Sequence, residues 1–152
     1  MRWLLLICLS LSSLAYEAPQ IWAVDGASLA FSRTQIEAQL GPARGDRPLK
    51  RSFAGETWEY TYANGLKVDF RDRDRGRHAM ALVGRRFTSR GRLMCQAGVR
   101  REQFIELMGE APLAQDEDQV VYYDQARLAY LTVYFIEGKA AEFVLSRFRV
   151  DQ

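Results

Sequence analysis

The sequence predicts an α+β fold made of two tandem α-β-β-β repeats, residues 16–92 and 93–152, with the helices packed on one face of antiparallel sheet. Three observations carry this reading. The chain answers to itself: Ala30–Ile36 matches Gly98–Phe104 at an offset of 68, with Arg33/Arg101 and Gln35/Gln103 identical, and Leu40–Ala43 matches Met108–Ala111. Leu66–Phe70 then matches Leu131–Phe135, and Trp58–Glu59 matches Tyr123–Asp124, at an offset of 65, while Val83 and Arg86–Phe87 match Val144 and Arg147–Phe148 at 61. The other two observations are apolar residues spaced i, i+4 followed by period-2 alternation, and turn signals too short to hold a crossover helix.

The elements follow in order. Ser32 and Gln35 form a capping box at the start of the first helix, Ile36 and Leu40 share its inner face, and Gly41 ends it. Trp58, Tyr60 and Tyr62 alternate as one strand and Leu66, Val68 and Phe70 as the next, joined by Ala63-Asn64-Gly65, whose Asn-Gly tolerates positive φ. The second helix spans about Arg100–Met108, with Phe104 and Met108 inward, and Ile136-Glu137-Gly138-Lys139 turns between the last two strands. The expected cores are Phe31, Ile36, Leu40, Val68 and Phe70 in the first copy and Val99, Phe104, Met108, Val133 and Phe135 in the second. Whether the two sheets join stays open at this level.

Composition narrows the function. Of 152 residues, 48% are hydrophobic and 26% charged, as in an ordinary globular chain, and a net charge of +2 with no basic helix gives no footprint for nucleic acid. Met1-Arg2, the apolar run Trp3–Leu14 and Ser13-Leu14-Ala15 read as a cleaved signal peptide over residues 1–15. A bilayer span needs roughly 20 apolar residues, so an integral membrane protein is not expected. The expected location is the periplasm or the extracellular space. One histidine and two cysteines are too few for a conventional zinc site, and no metal or cofactor is expected. Cleavage leaves Cys95 as the single cysteine, either buried and inert or open to a partner.

The pattern x-Arg-x-Gln-apolar ending at Leu40-Gly41 or Met108-Gly109, then Trp58-x-Tyr60, then Val68-x-Phe70 with a glycine-containing turn, resembles the BamE/SmpA-like family of outer-membrane assembly. More broadly it resembles the superfamily of the beta-lactamase inhibitor protein. The resemblance covers about residues 30–87 and 98–148. It implies a non-catalytic binder of another periplasmic or outer-membrane-associated protein, or an inhibitor of one. Two departures stand out: Leu6-Ile7 precede Cys8 where a lipid-anchoring motif needs small residues, and neither repeat holds the cysteine pair of the inhibitor.

Charge and aromatic residues mark the candidate sites. Residues 16–98 carry 14 basic and 9 acidic side chains, and residues 99–152 carry 6 and 10. Eight arginines lie between Arg71 and Arg92, a set suited to an acidic protein, anionic lipid or the phosphates of lipopolysaccharide, or else to a solvated hairpin tip. If Leu131, Val133 and Phe135 face the helices, Tyr130, Thr132 and Tyr134 face the other way. Their counterparts in the first copy are Gly65, Lys67 and Asp69, so the tyrosines mark either an interface or intramolecular cover by Ile21, Trp22 or the neighbouring repeat. Tyr122, Tyr130 and Tyr134 are the expected partner contacts, with Arg73, Arg75 and Arg77 guiding approach. The alternatives are an envelope hydrolase using His78 and Cys95 and a protein of anionic lipid surfaces. Asp72–Gly76 lacks the remaining ligands of a calcium loop, and Arg44-Gly45-Asp46 reads as a surface loop.

Overall fold

The computed structural model describes residues 22–52 and 55–150, so the signal-peptide segment 1–15 and Ile21 lie outside the described residues. The elements are β1 (Trp22–Val24), α1 (Arg33–Leu40), β2 (Gly45–Ser52), β3 (Gly55–Thr61), β4 (Lys67–Arg71), β5 (Ala81–Gly84), β6 (Arg86–Ser89), β7 (Arg92–Gln96), α2 (Arg101–Met108), β8 (Ala114–Gln115), β9 (Gln119–Asp124), β10 (Ala129–Ile136) and β11 (Lys139–Ser146). Eight strands form one sheet in the order β2-β3-β4-β5-β11-β10-β9-β8, and β1-β6-β7 form a second. Neighbouring strands pair antiparallel throughout.

This architecture corrects the expected fold class. The protein is a strand-dominated structure of two sheets, not an α+β pair of α-β-β-β repeats with a helical layer. Each helix has eight residues, about two turns, and fully buries one side chain, Ile36 in α1 and Phe104 in α2. Helices this short cannot cover an eight-stranded sheet. The small sheet shares the work: Phe143 of β11 stacks on Phe87 of β6 at 6.2 Å and meets Phe104 of α2 edge-on at 6.0 Å. Each half also sends four strands, not three, into the large sheet. Sequence reading passed over β2, because Pro48 and the charged residues around it look like a loop. Proline is tolerated there because β2 is an edge strand. Gly45 and Asp46 therefore open a strand instead of lying in a surface loop.

The two halves meet at β5 and β11, through Gly84↔Phe143, Val83↔Val144, Leu82↔Leu145 and Ala81↔Ser146. One core runs through both, from Tyr60, Val68 and Phe70 through Leu82 and Leu145 to Val133, Tyr122 and Phe104. Of the expected core residues, Ile36, Val68, Phe70, Phe104, Val133 and Phe135 are buried, while Phe31, Leu40, Val99 and Met108 are partly buried against them.

Local chemistry explains the element ends. The capping box is formed: Ser32 Oγ accepts from the Gln35 amide at 3.3 Å and Gln35 Oε1 accepts from the Ser32 amide at 2.8 Å. Asn64 Oδ1 accepts from the Leu66 amide at 3.1 Å in the β3–β4 turn. Glu137 and Gly138, both at positive φ, make the two-residue turn between Ile136 and Lys139.

Gly84 is where the chain passes from the large sheet to the small one. Asp25, in the turn after β1, lies against it, and Asp25 Oδ2 accepts from the Arg85 amide at 3.1 Å while the Asp25 amide donates to the Arg86 carbonyl at 2.9 Å. A Cβ on Gly84 would overlap the Asp25 carboxylate and lie 2.7 Å from Val24 Cγ1. Gly84→Ala is therefore expected to destabilise the protein by about 1–3 kcal/mol, read as a lower urea midpoint at unchanged m-value.

Candidate functional site

Strand register assigns the two faces of the large sheet. On the face away from the core, Tyr130 stands between Tyr123 and Ser146, Thr132 between Val121 and Val144, and Tyr134 between Gln119 and Glu142. The Tyr123 and Tyr130 rings lie 4.6 Å apart, tilted by 32°. Val121, Thr132 and Val144 are buried beside them, while the three tyrosines are partly exposed. In the first half the same face carries Arg47, Glu59, Lys67 and Asp69. One continuous surface therefore changes from charged to aromatic across the β5–β11 seam.

Tyr122 does not belong to this surface. It pairs with Leu131, is 1% exposed, and packs edge-on against Phe104 at 5.8 Å. The four-residue turn 125–128 sets Asp124 opposite Ala129, which sends Tyr122 inward and Tyr123 outward. Tyr123 is the outward tyrosine that sequence reading missed, and that turn length was the signal for it. The same register breaks the match of Trp58 with Tyr123, since Trp58 pairs with Phe70 and packs against the core.

Arg73, Arg75 and Arg77 sit in the loop between β4 and β5, and all three have acidic partners. Arg73 Nη2 donates to Asp46 Oδ2 at 2.8 Å, with its guanidinium 4.3 Å above the Trp58 ring. Arg75 pairs with Glu37 Oε2, Arg33 pairs with Glu37 Oε1 at 2.8 Å, and Arg77 pairs with Asp72 at 3.3 Å. Burial acts to raise the Glu37 pKa, but the hydrogen bonds and charges of Arg75 and Arg33 outweigh it and hold the carboxyl below its ordinary value. The loop backbone docks on α1 as well: the Arg33 and Thr34 amides donate to the Arg77 and Arg75 carbonyls at 3.3 and 3.2 Å. These amides are helix N-terminal donors without partners inside the helix. Asp72 and Asp74 accept from the Asp74 and Gly76 amides at 2.8 Å, so these carboxylates shape a turn. Among the described residues no cluster of metal-ligating side chains occurs.

His78 and Cys95 occupy different settings. His78 is exposed in the same loop, bridging Ser32 by its backbone. Cys95 lies on β7 opposite Phe87, and burial pushes its thiol up to about 11. No hydrogen bond joins the two among the described residues.

A groove opens where the β6–β7 hairpin and the β9–β10 turn approach Trp22. Its outer part, about 630 Å³, is lined by Arg90, Arg92, Met94, Met108, Glu110 and Tyr123, and an inner part of about 260 Å³ reaches Leu29, Ala129 and Leu145. No helix among the described residues is long and apolar enough to cross a membrane.

No family model, curated protein or solved structure matches the chain. The BamE/SmpA resemblance therefore stands on the residues that suggested it, and function has to be argued from the surface.

One titrating group lies on that surface. Asp69 faces Glu59 across β3–β4, and Arg47 Nε donates to Glu59 Oε1 at 2.7 Å, while Asp69 Oδ1 is buried without a hydrogen-bond partner. Burial first, and the Glu59 charge second, push the Asp69 carboxyl up to about 7. The folded state thus holds a proton that the unfolded chain releases near pH 4, so the contribution of this carboxyl to stability is greatest below that pH and falls as pH rises towards 7. The slope in this window is at most about 1.4 kcal/mol per pH unit. Asp69→Asn is expected to flatten it and to raise the urea midpoint at pH 8, as measured by denaturation at a series of pH values.

Proposed function

We propose that the chain is a secreted or periplasmic, non-enzymatic protein-binding module that holds another envelope protein against the outer face of its large sheet. The observation that carries this reading is the partly exposed set Tyr123, Tyr130 and Tyr134 around Val121, Thr132 and Val144, on a face that is charged in the other half. Aromatic side chains with an apolar body and a polar tip suit an interface, because the ring contributes contact area while the hydroxyl keeps a hydrogen-bond partner. The signal-peptide pattern in residues 1–15 and the BamE/SmpA resemblance support the compartment and the partner class. Binding is favoured over hydrolysis by His78 and Cys95 because a buried, protonated thiol is a poor nucleophile. Arg73 is assigned to holding the loop on β2, Arg75 to holding it on α1, and Arg77 to bracing the loop within itself, since each is already paired.

The test uses the immobilised protein to retain envelope proteins, followed by dissociation kinetics of the purified partner. Tyr130→Ala with Tyr134→Ala should speed dissociation by about tenfold or more, because central aromatic contacts hold much of an interface's energy. A folded double variant that releases the partner at the parental rate removes this face from the interaction.

A further inference from the structure

The groove beneath Trp22 joins two chemically different compartments. The inner one is walled by Leu29, Ala30, Ala129 and Leu145 with the Trp22 ring, and the Asp124–Arg127 ion pair at 2.7 Å stands where it meets the outer one. The outer compartment sets Arg90 and Arg92, at the tip of the β6–β7 hairpin, opposite Glu110 and Asp124. Unlike Arg73, Arg75 and Arg77, the side chains of Arg90 and Arg92 have no ion pair among the described residues. Hairpin geometry holds them at the rim: Arg90 and Gly91 take positive φ in the turn between Ser89 and Arg92.

We propose that this groove binds an extended acidic peptide segment of a partner, with one apolar side chain inserted beneath Trp22. Three features select that occupant. The inner compartment, about 260 Å³ and largely apolar, has room for one large side chain. The two guanidiniums, without an ion pair among the described residues, call for carboxylates flanking that anchor, and they are forked donors suited to them. The outer compartment also presents acceptors, Glu110 and Asp124, that suit the amides of a peptide backbone, while Arg90, Arg92 and Arg127 outnumber these two carboxylates and leave its lining with a net positive charge. The Trp22 ring meets Phe87 edge-on at 5.9 Å. An aromatic wall, a buried apolar anchor and a charged rim are the parts of an energetically concentrated peptide site. The groove shares Tyr123 with the sheet face but is not lined by Tyr134, so it extends the proposed function and the two can be tested apart.

The experiment reads Trp22 fluorescence in the full chain carrying Trp3→Phe and Trp58→Phe, which leaves Trp22 as the single tryptophan. The probe is a short synthetic peptide of aspartates and glutamates around one central leucine. A saturable blue shift is expected with this peptide and none with glycine in place of the leucine. Arg90→Glu with Arg92→Glu should weaken binding at least about tenfold, and added salt should weaken the parent's binding. Ala30→Phe, at an exposed wall position, should fill the inner compartment and abolish the shift while circular dichroism stays unchanged. The absence of a saturable shift, undiminished binding by the charge-reversed protein, or a response to dodecanoate but not to the peptide would each overturn the proposal. Tyr134→Ala alone, whose side chain does not line the groove, should bind the peptide like the parent, which separates failure here from failure of the sheet-face reading.

Discussion

The antiparallel pairing of β5 with β11 is the contact on which the rest of the molecule depends. Four residue pairs, from Gly84↔Phe143 to Ala81↔Ser146, turn two four-stranded ribbons into one sheet, and Leu82 and Leu145 on its inner side join two sets of core residues into one. Without it each ribbon would expose a central strand edge, which is a template for aggregation. The edges that remain are blunted. β2 carries Pro48 among charged residues, and β8 is two residues long. Val83 and Val144 also place this seam in the middle of the outer face, where charged and aromatic halves meet.

A second constraint fixes the first half. The loop from Asp72 to Met80 grips the start of α1 by backbone hydrogen bonds and by the Arg33–Glu37–Arg75 cluster, and the Arg33 guanidinium also lies 4.2 Å over the Tyr60 ring. Exposed ion pairs contribute little singly. Here they converge on a carboxylate whose side chain is 11% exposed, so the cluster orients helix, loop and strand together. Within the arginine-rich stretch, Arg73, Arg75 and Arg77 thus serve to build the protein, whereas Arg90 and Arg92 at the hairpin tip have no ion pair among the described residues.

What could be read from the sequence was local. The Ser32–Gln35 capping box, the Asn64-Gly65 turn, the Glu137-Gly138 turn and the alternation that sends Tyr130 and Tyr134 away from Leu131 and Val133 all depend on residues within a few positions of one another. What escaped was set by distance or by parity. The small sheet needs Trp22–Val24 to pair with Phe87–Ser89 across more than sixty positions, and its strands are too short for a period to show. Tyr122 and Tyr123 were exchanged because adjacent strand residues differ only in phase, which the neighbouring turn decides. The ion pairs of Arg73, Arg75 and Arg77 were hidden because Asp46 and Glu37 lie on elements distant in the chain. The expectation of a helical layer failed for a different reason: the apolar i, i+4 spacing was correctly located, but spacing says nothing about how much sheet a two-turn helix can cover.

The central position of β11 has a consequence for how the chain reaches its folded form. The strand that seals the sheet is formed by residues 139–146, whereas its partner β5 ends at Gly84. The large sheet therefore cannot close while the chain is still emerging, from the ribosome or from a translocation channel, until these late residues are free. Until then β5 is an unpaired edge, and closing the gap requires ordering a long intervening segment, which slows folding in proteins rich in distant contacts. The ribbon β2-β3-β4-β5 can pair from its own residues, but the open side of β5 is covered only when the last strand arrives.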